Sequence, residues 1–225
     1  MVQPWHTLDK VDTPDGVLEL RKRGERDYLI LINNRVLMNS SANRSELALG
    51  ELAAKAVASL PSPRVLIGGL GMGLTLRATL DKLPDAAEVT VAELNSIVVK
   101  WCQGHLAGLA NSVVRDPRVS IRIQDVASAI AQASQPGAKQ FDAIIIDLYE
   151  GPGTSIDVIL DPFYGSRALK KTIEALSPGG VFAVWGEAPD TAFEKRLAAA
   201  GFAFERKRPG KGGMRHVVYV ARKRV

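Results

Sequence analysis

Arg64-Val-Leu-Ile-Gly-Gly-Leu-Gly-Met-Gly73, running directly into the helical pattern of Leu74–Leu83, is the stretch on which the fold turns. A short apolar run with β-branched residues reads as a buried strand, and the glycines behind it permit a tight turn into a helix with close backbone approach. Four more runs of the same kind follow at Glu88–Ala92, Val119–Ile123, Asp142–Ile146 and Val181–Trp185, separated by helical stretches. Strands alternating with helices predict a parallel sheet covered on both faces. The run Asp142-Ala-Ile-Ile-Ile146 is apolar almost throughout, as a central strand should be. After a helix near residues 190–200, Phe202–Arg206 and His216–Val220 flank the turn-rich Pro209-Gly-Lys-Gly-Gly213, which predicts an antiparallel pair at the sheet edge.

Upstream the pattern differs. Residues 17–22 and 27–32 are strand-like and flank Gly24, and Asn33-Asn34 turns the chain into Arg35–Met38. Residues 1–40 therefore read as a small β extension, and residues 41–225 as the α/β core. From Asn43 the spacing of Leu49, Leu52, Ala53, Ala56, Val57 and Leu60 is helical, with Asn43 and Glu46 placed as a capping box and Pro61 and Pro63 as terminators.

A chain of 225 residues is long enough for one well-buried core with an appendage. Hydrophobic residues at 46% and charged residues at 24% are ordinary soluble values, and no apolar run approaches the ~20 residues of a membrane-spanning helix. Met1–His6 lacks the basic-then-apolar pattern of a secretory signal, so a cytoplasmic location is expected. Cys102 stands alone, which excludes an internal disulfide and a cysteine-rich metal site; it reads as a buried thiol, and no metal is expected. The net charge of +5 raises the question of a nucleic-acid partner. The basic residues, however, gather at Arg206-Lys207-Arg208, Lys211, Arg215 and Arg222-Lys223-Arg224, which reads as a solvated edge. Asp142, Asp147, Glu150, Asp157 and Asp161 fall together elsewhere and form an acidic mouth suited to a cationic substrate.

In an open parallel sheet, ligands bind beyond the carboxyl ends of the strands where strand order reverses. Gly68, Gly69, Leu70, Gly71, Met72 and Gly73 occupy that place after the first core strand. Glu93 ends the second, about 20 residues beyond the glycines, where a carboxylate can accept from both ribose hydroxyls. Asp125 ends the third, placed either to accept from an adenine amino group or to cap the following helix. Asp147 ends the fourth, and a long loop to about Asp161 begins there. A nicotinamide-dependent enzyme shares the first two features; acids on the third and fourth strands and the terminal antiparallel pair favour a methyltransferase-type core. The absence of Lys-Ser or Lys-Thr after the loop argues against a P-loop. An S-adenosylmethionine-type ligand is the reading that uses all of these positions.

With those residues placed, the chain resembles the spermidine synthase family of aminopropyltransferases. The resemblance spans roughly residues 64–190 and rests on Val65-Leu-Ile-Gly-Gly69, Ala92-Glu-Leu94, Gln124-Asp-Val126, Phe141-Asp-Ala-Ile-Ile-Ile-Asp147, Gly151-Pro152, Pro162-Phe-Tyr164 and Leu176-Ser-Pro-Gly-Gly180. It implies a class I methyltransferase-type, Rossmann-like fold: a mostly parallel seven-stranded sheet with an antiparallel terminal hairpin. It further implies that Glu93 with Leu94 and Asp125 with Val126 hold ribose and adenine, and that Asp147 lies beside the nucleotide and the reaction centre. Three departures stand out. Gly71 replaces the family's glycine-loop aspartate, which meets the amine end of decarboxylated S-adenosylmethionine. Glu150 aligns with the family's catalytic aspartate, and Met38–Glu46 does not match the family's substrate-gating strands.

The implied chemistry is transfer of an aminopropyl group from decarboxylated S-adenosylmethionine to a small-molecule amine in polyamine biosynthesis. Glu150 would be the base, Asp147 would orient the amine, and Tyr149, Tyr164 and Glu187 would shape the substrate side. Tyr164 reads equally as a core aromatic. Methyl transfer from S-adenosylmethionine is the rival, favoured by the loss at Gly71, and a non-catalytic nucleotide-binding module is the third reading. The open edges of the N-terminal hairpin suggest a homodimer.

Overall fold

A computed structural model describes residues 3–153, 161–209 and 216–224. The chain begins with an antiparallel meander, β1 (His6–Thr13), β2 (Gly16–Arg23), β3 (Asp27–Ile32) and β4 (Arg35–Asn39), whose turns use the left-handed residues Gly24, Asn33 and Asn34. There follow α1 (Arg44–Lys55), β5 (Arg64–Gly68), α2 (Leu74–Leu80), β6 (Glu88–Glu93), α3 (Ser96–Gln103), a 3-10 turn at Val113–Arg115, β7 (Val119–Ile123) and α4 (Val126–Ala133). The rest comprises β8 (Phe141–Ile146), α5 (Ser166–Ala175), β9 (Leu176–Gly186), α6 (Thr191–Ala199), β10 (Phe202–Lys207) and β11 (Val217–Lys223).

The second sheet has the order β10-β11-β9-β8-β5-β6-β7, with β5 parallel to β6 on one side and to β8 on the other. Strand order therefore reverses at β5, so a crevice opens beyond its carboxyl end. β11 runs antiparallel to both β9 and β10. This is the mostly parallel seven-stranded sheet that the resemblance implied, and the antiparallel pair lies at its edge as the strand pattern predicted, with β10 outermost and β11 inside. Val217, Val218, Tyr219 and Ala221 are fully buried on both faces of β11, whereas β10 is exposed at Ala203 and from Glu205 onward. The turn at 210–213 lies outside the described residues, as do Asp157, Lys211 and Arg215.

Two layers of side chains cover the sheet. Along β8, Ala143 and Ile145 join one cluster with α1, α2 and α3, while Ile144 and Ile146 join the other with α4, α5 and α6. An apolar run buried on both faces is the signature of a central strand. Leu18, Leu20, Tyr28 and Ile30 of the meander belong to the first cluster, so the N-terminal sheet is packed onto the core. Asp9 of β1 also accepts a hydrogen bond from Trp101 Nε1 of α3 at 2.7 Å.

The expected capping box does not form. The Asn43 side chain turns away to donate to the Ser40 carbonyl, and Glu46 accepts from Ser45 Oγ at 2.7 Å instead. α2 stops at Leu80, three residues short of the expected Leu83. What places α1 is Gly50: a Cβ there would lie 2.5 Å from the Thr75 carbonyl oxygen and 3.0 Å from the Thr79 nitrogen of α2. The two helices are thus in backbone contact, which carries Glu46 towards the crevice. Alanine is ordinarily the better helix residue by about 1 kcal/mol, yet Gly50→Ala should destabilise the protein by roughly 1–3 kcal/mol, because neither backbone can yield. Denaturant titration of the two proteins measures the sign.

Candidate active site

The first glycines of the loop leaving β5 have no room for side chains. A Cβ at Gly68 would meet Val126 Cγ2 at 2.7 Å, and one at Gly69 would meet the Asp147 carbonyl oxygen at 2.5 Å. Gly69, Gly71 and Gly73 all have left-handed φ values, and Gly73 is the N-cap of α2. Leu70 and Met72 point into the core and are buried. Of the six loop residues named from the sequence, Gly69 and Gly71 line a cavity of about 660 Å³; the other four shape the turn behind it.

Glu93, at the end of β6, holds this loop in place. Its Oε2 accepts from the Leu70 backbone N–H and its Oε1 from that of Asn95, both at 2.8 Å. Burial pushes its carboxyl above the ordinary carboxylate range, and the backbone donors oppose that shift. The backbone groups of Leu94 and Gly71 also act on this carboxylate, so Glu93 is tied to the loop by several donors. Asp125, at the end of β7, takes the capping role and also stands in the cavity wall. It caps α4 by accepting from Ala127 N–H at 3.2 Å, and it lines the cavity with Leu94 and Val126. Gln124 beside it carries a buried Nε2 with no hydrogen-bond partner among the described residues, a donor suited to a ring nitrogen or hydroxyl of a ligand.

Asp147 follows β8 and accepts from the Thr75 hydroxyl of α2. Desolvation, the larger effect, and the negative charge of Glu46 raise its carboxyl to about 7, against the opposing Thr75 hydrogen bond. Glu150 and Tyr149 line the same cavity and are exposed at its mouth. Tyr164 also borders it, yet its ring is 2% exposed and packs edge-on against Phe193, and its hydroxyl donates to the Glu150 carbonyl at 3.1 Å. It braces the loop that carries Glu150. Glu187 is exposed and stands outside the cavity lining, because β9 ends at Gly186 and the chain turns away towards α6.

Residues that the sequence reading gave no role at the site complete the wall. The N-terminal sheet contributes Asp15, Leu18, Ile30, Ile32, Leu37 and Met38, α1 contributes Glu46, and β9 contributes Trp185. Met38 fills the space above Gly71: a Cβ there would lie 2.7 Å from its Cε, and its sulfur accepts from the Met72 N–H at 3.2 Å. Cys102 lies beneath the loop, donating to the Gly71 carbonyl at 3.3 Å, with its thiol pushed up to about 12 by burial. Asp161 lines the cavity while accepting from the Phe163 and Tyr164 N–H groups. In total Asp15, Glu46, Glu93, Asp125, Asp147, Glu150 and Asp161 border the cavity, and no Lys, Arg or His does so among the described residues.

Raising the folded-state pKa of Asp147 above its unfolded value of 3.8 means that its favourable contribution is complete below pH ~4 and is lost as pH rises through about 7. Asp147→Asn keeps the acceptor for Thr75 and removes the desolvated charge. The ligand-free variant should therefore be more stable than the wild type at pH 8 by roughly 2–4 kcal/mol and indistinguishable from it near pH 4. Denaturation midpoints across that range test the sign.

Residues 51–197 match the family model described as the spermine/spermidine synthase domain. Putrescine N-methyltransferase 2 of Nicotiana attenuata is 31% identical over 182 residues, covering 80% of this chain and 41% of that protein. The polyamine aminopropyltransferase of Clostridium tetani is 31% identical over 130 residues, 57% of this chain and 43% of that protein. This chain thus spans about two fifths of the length of these curated relatives. The crystal structure of spermidine synthase from Thermotoga maritima superposes with a TM-score of 0.71 at 18% identity, covering 96% of this chain and 72% of that one. With the family model spanning well over half of its residues, this chain belongs to the spermine/spermidine synthase domain family.

Proposed function

We propose that the cavity binds an S-adenosyl nucleoside together with a small di- or polyamine, and that the protein transfers an aminopropyl group from the nucleoside sulfonium to the amine. The observation that carries this reading is the wall of seven acids with no basic side chain among the described lining residues. Such a wall repels anions and concentrates cations. Both reactants are cationic: one carries a sulfonium and an ammonium, the other two or more ammonium groups. The relatives named as polyamine aminopropyltransferase and putrescine N-methyltransferase support the same pairing of reactants.

The backbone of Gly69 and Gly71, the Glu93 carboxylate bordering the cavity, and Asp125 with Gln124 suit the nucleoside. Sulfonium chemistry supplies a carbon whose bond to sulfur breaks, the electron pair passing to sulfur, as the amine nitrogen attacks from the opposite side. The chain's own task is to present an unprotonated amine in line and to accept the proton that the new ammonium releases. Glu150 at the cavity mouth is the acceptor in this reading. Asp147, with its carboxyl held near neutrality, orients the amine next to it.

Methyl transfer from S-adenosylmethionine is the second reading, and one observation favours it. Met38 occupies the space over Gly71, where the resembled family carries an aspartate for the aminopropyl ammonium. Incubation of the purified protein with a diamine and either donor separates the two by product mass. Methylthioadenosine formed in proportion to a longer amine supports aminopropyl transfer; adenosylhomocysteine with a methylated amine supports the rival, and neither product would sink both. Glu150→Gln should lower kcat on the productive pair by about a hundredfold or more with little change in nucleoside affinity. Steady-state kinetics with the nucleoside held at saturation reads that effect.

A further inference from the structure

The nucleoside-and-amine reading leaves one requirement unmet at the glycine loop. A primary ammonium at the sulfonium end needs a carboxylate, and the loop offers Gly71 beneath a thioether. Two other acids of the cavity wall stand close to each other on separate elements. Glu46 projects from the first turn of α1, a helix carried there by the backbone contact at Gly50. Asp147 follows β8. Thr75 of α2 lies between them, with its hydroxyl donated to Asp147 and lying 3.2 Å from the Glu46 carbonyl oxygen. Both acids border the same cavity, and the charge of Glu46 reaches Asp147.

Glu46 is held in a defined orientation. Ser45, 3% exposed, donates its hydroxyl to Oε2 at 2.7 Å, and Ser45 is in turn in contact with His216 Nδ1 at 3.1 Å. The His216 ring packs against Trp185, which is itself a cavity residue. Two carboxylates facing one cavity with no intervening cation repel each other. The hydroxyls of Ser45 and Thr75 offset that repulsion in part, and an ammonium group between the two acids would offset it directly. Met38 limits the alternatives by closing the space over Gly71 with apolar atoms.

We propose that Glu46 and Asp147 form a two-carboxylate clamp for a primary ammonium of the bound ligand, so that the cation anchor has moved from the glycine loop to the first turn of α1. Resting on the reading of the cavity as a nucleoside-and-amine site, the clamp names the residue that makes the site selective for an amine-bearing ligand. Ser45 and His216 act through Glu46 as positioning residues. The ammonium can belong to the aminopropyl end of the nucleoside or to the acceptor amine; the chemistry of the clamp is the same for both.

Calorimetric titration of the wild type and of Glu46→Gln with matched ligands tests this. Methylthioadenosine carries the nucleoside without an ammonium, and decarboxylated S-adenosylhomocysteine carries the same nucleoside with one. The substitution should weaken the second by about tenfold or more and the first by less than about twofold. If it instead weakens putrescine added to the methylthioadenosine complex, the clamp stands and its ammonium comes from the acceptor. Equal affinities for every ligand in both proteins would overturn the proposal. So would an equal loss for both nucleosides, which would mark Glu46 as structural. Failure of the wild type to bind methylthioadenosine is a separate result, and it would overturn the nucleoside reading beneath the clamp. Ser45→Ala should show the same selective loss at smaller size, as expected of a residue that orients Glu46.

Discussion

The turn from β5 into α2 starts at glycines where side chains cannot fit, and much of the molecule is arranged around that crowding. β6 and β8 pair with β5 on its two sides, so whatever follows β5 emerges between Glu93 and Asp147. Val126 closes in on Gly68, and the Asp147 backbone closes in on Gly69. The loop is then pinned by the Glu93 carboxylate at Leu70 and supported from below by Cys102 at Gly71. A loop braced in this way keeps its backbone in one arrangement, which is what close approach of a ligand requires.

Electrostatics sets the second constraint. Burying carboxylates at this cavity costs free energy in the ligand-free molecule: desolvation raises the carboxyl groups of Glu93 and Asp147, and the charge of Glu46 adds to the effect at Asp147. Residues that work against stability in this way are what a binding site for cations is expected to contain, since the charge that relieves them arrives with the ligand. The basic residues that give the chain its positive net charge are absent from the described cavity lining. Arg206 and Lys207, for example, are engaged by the surface acids Glu194 and Glu205.

The strand pattern made the parallel sheet legible, because period-2 burial on both faces leaves apolar runs such as Ala143–Ile146. The antiparallel pair at the edge was legible as well, but such a pair specifies its own partners and not which member faces solvent, and the two-sided burial of Val217–Ala221 is what puts β11 inside. The capping box failed for a similar reason, since Asn43 had a competing acceptor in the Ser40 carbonyl that sequence spacing does not reveal. At the site, the acids ending β6, β7 and β8 were readable because strand ends in this topology converge on one crevice. Glu187, expected on the substrate side, lies outside the cavity lining because the chain turns away after Gly186.

By itself the sequence determined the sheet, the glycine turn and the acids at the strand ends, since each follows from periodicity and local backbone demands within a few residues. Tertiary structure alone decided the rest of the cavity. The meander brings Met38 over Gly71, and α1, seated on α2 through Gly50, brings Glu46 to Asp147 across about a hundred residues of chain. Such contacts depend on how separate elements pack, and no local pattern in either segment encodes its distant partner.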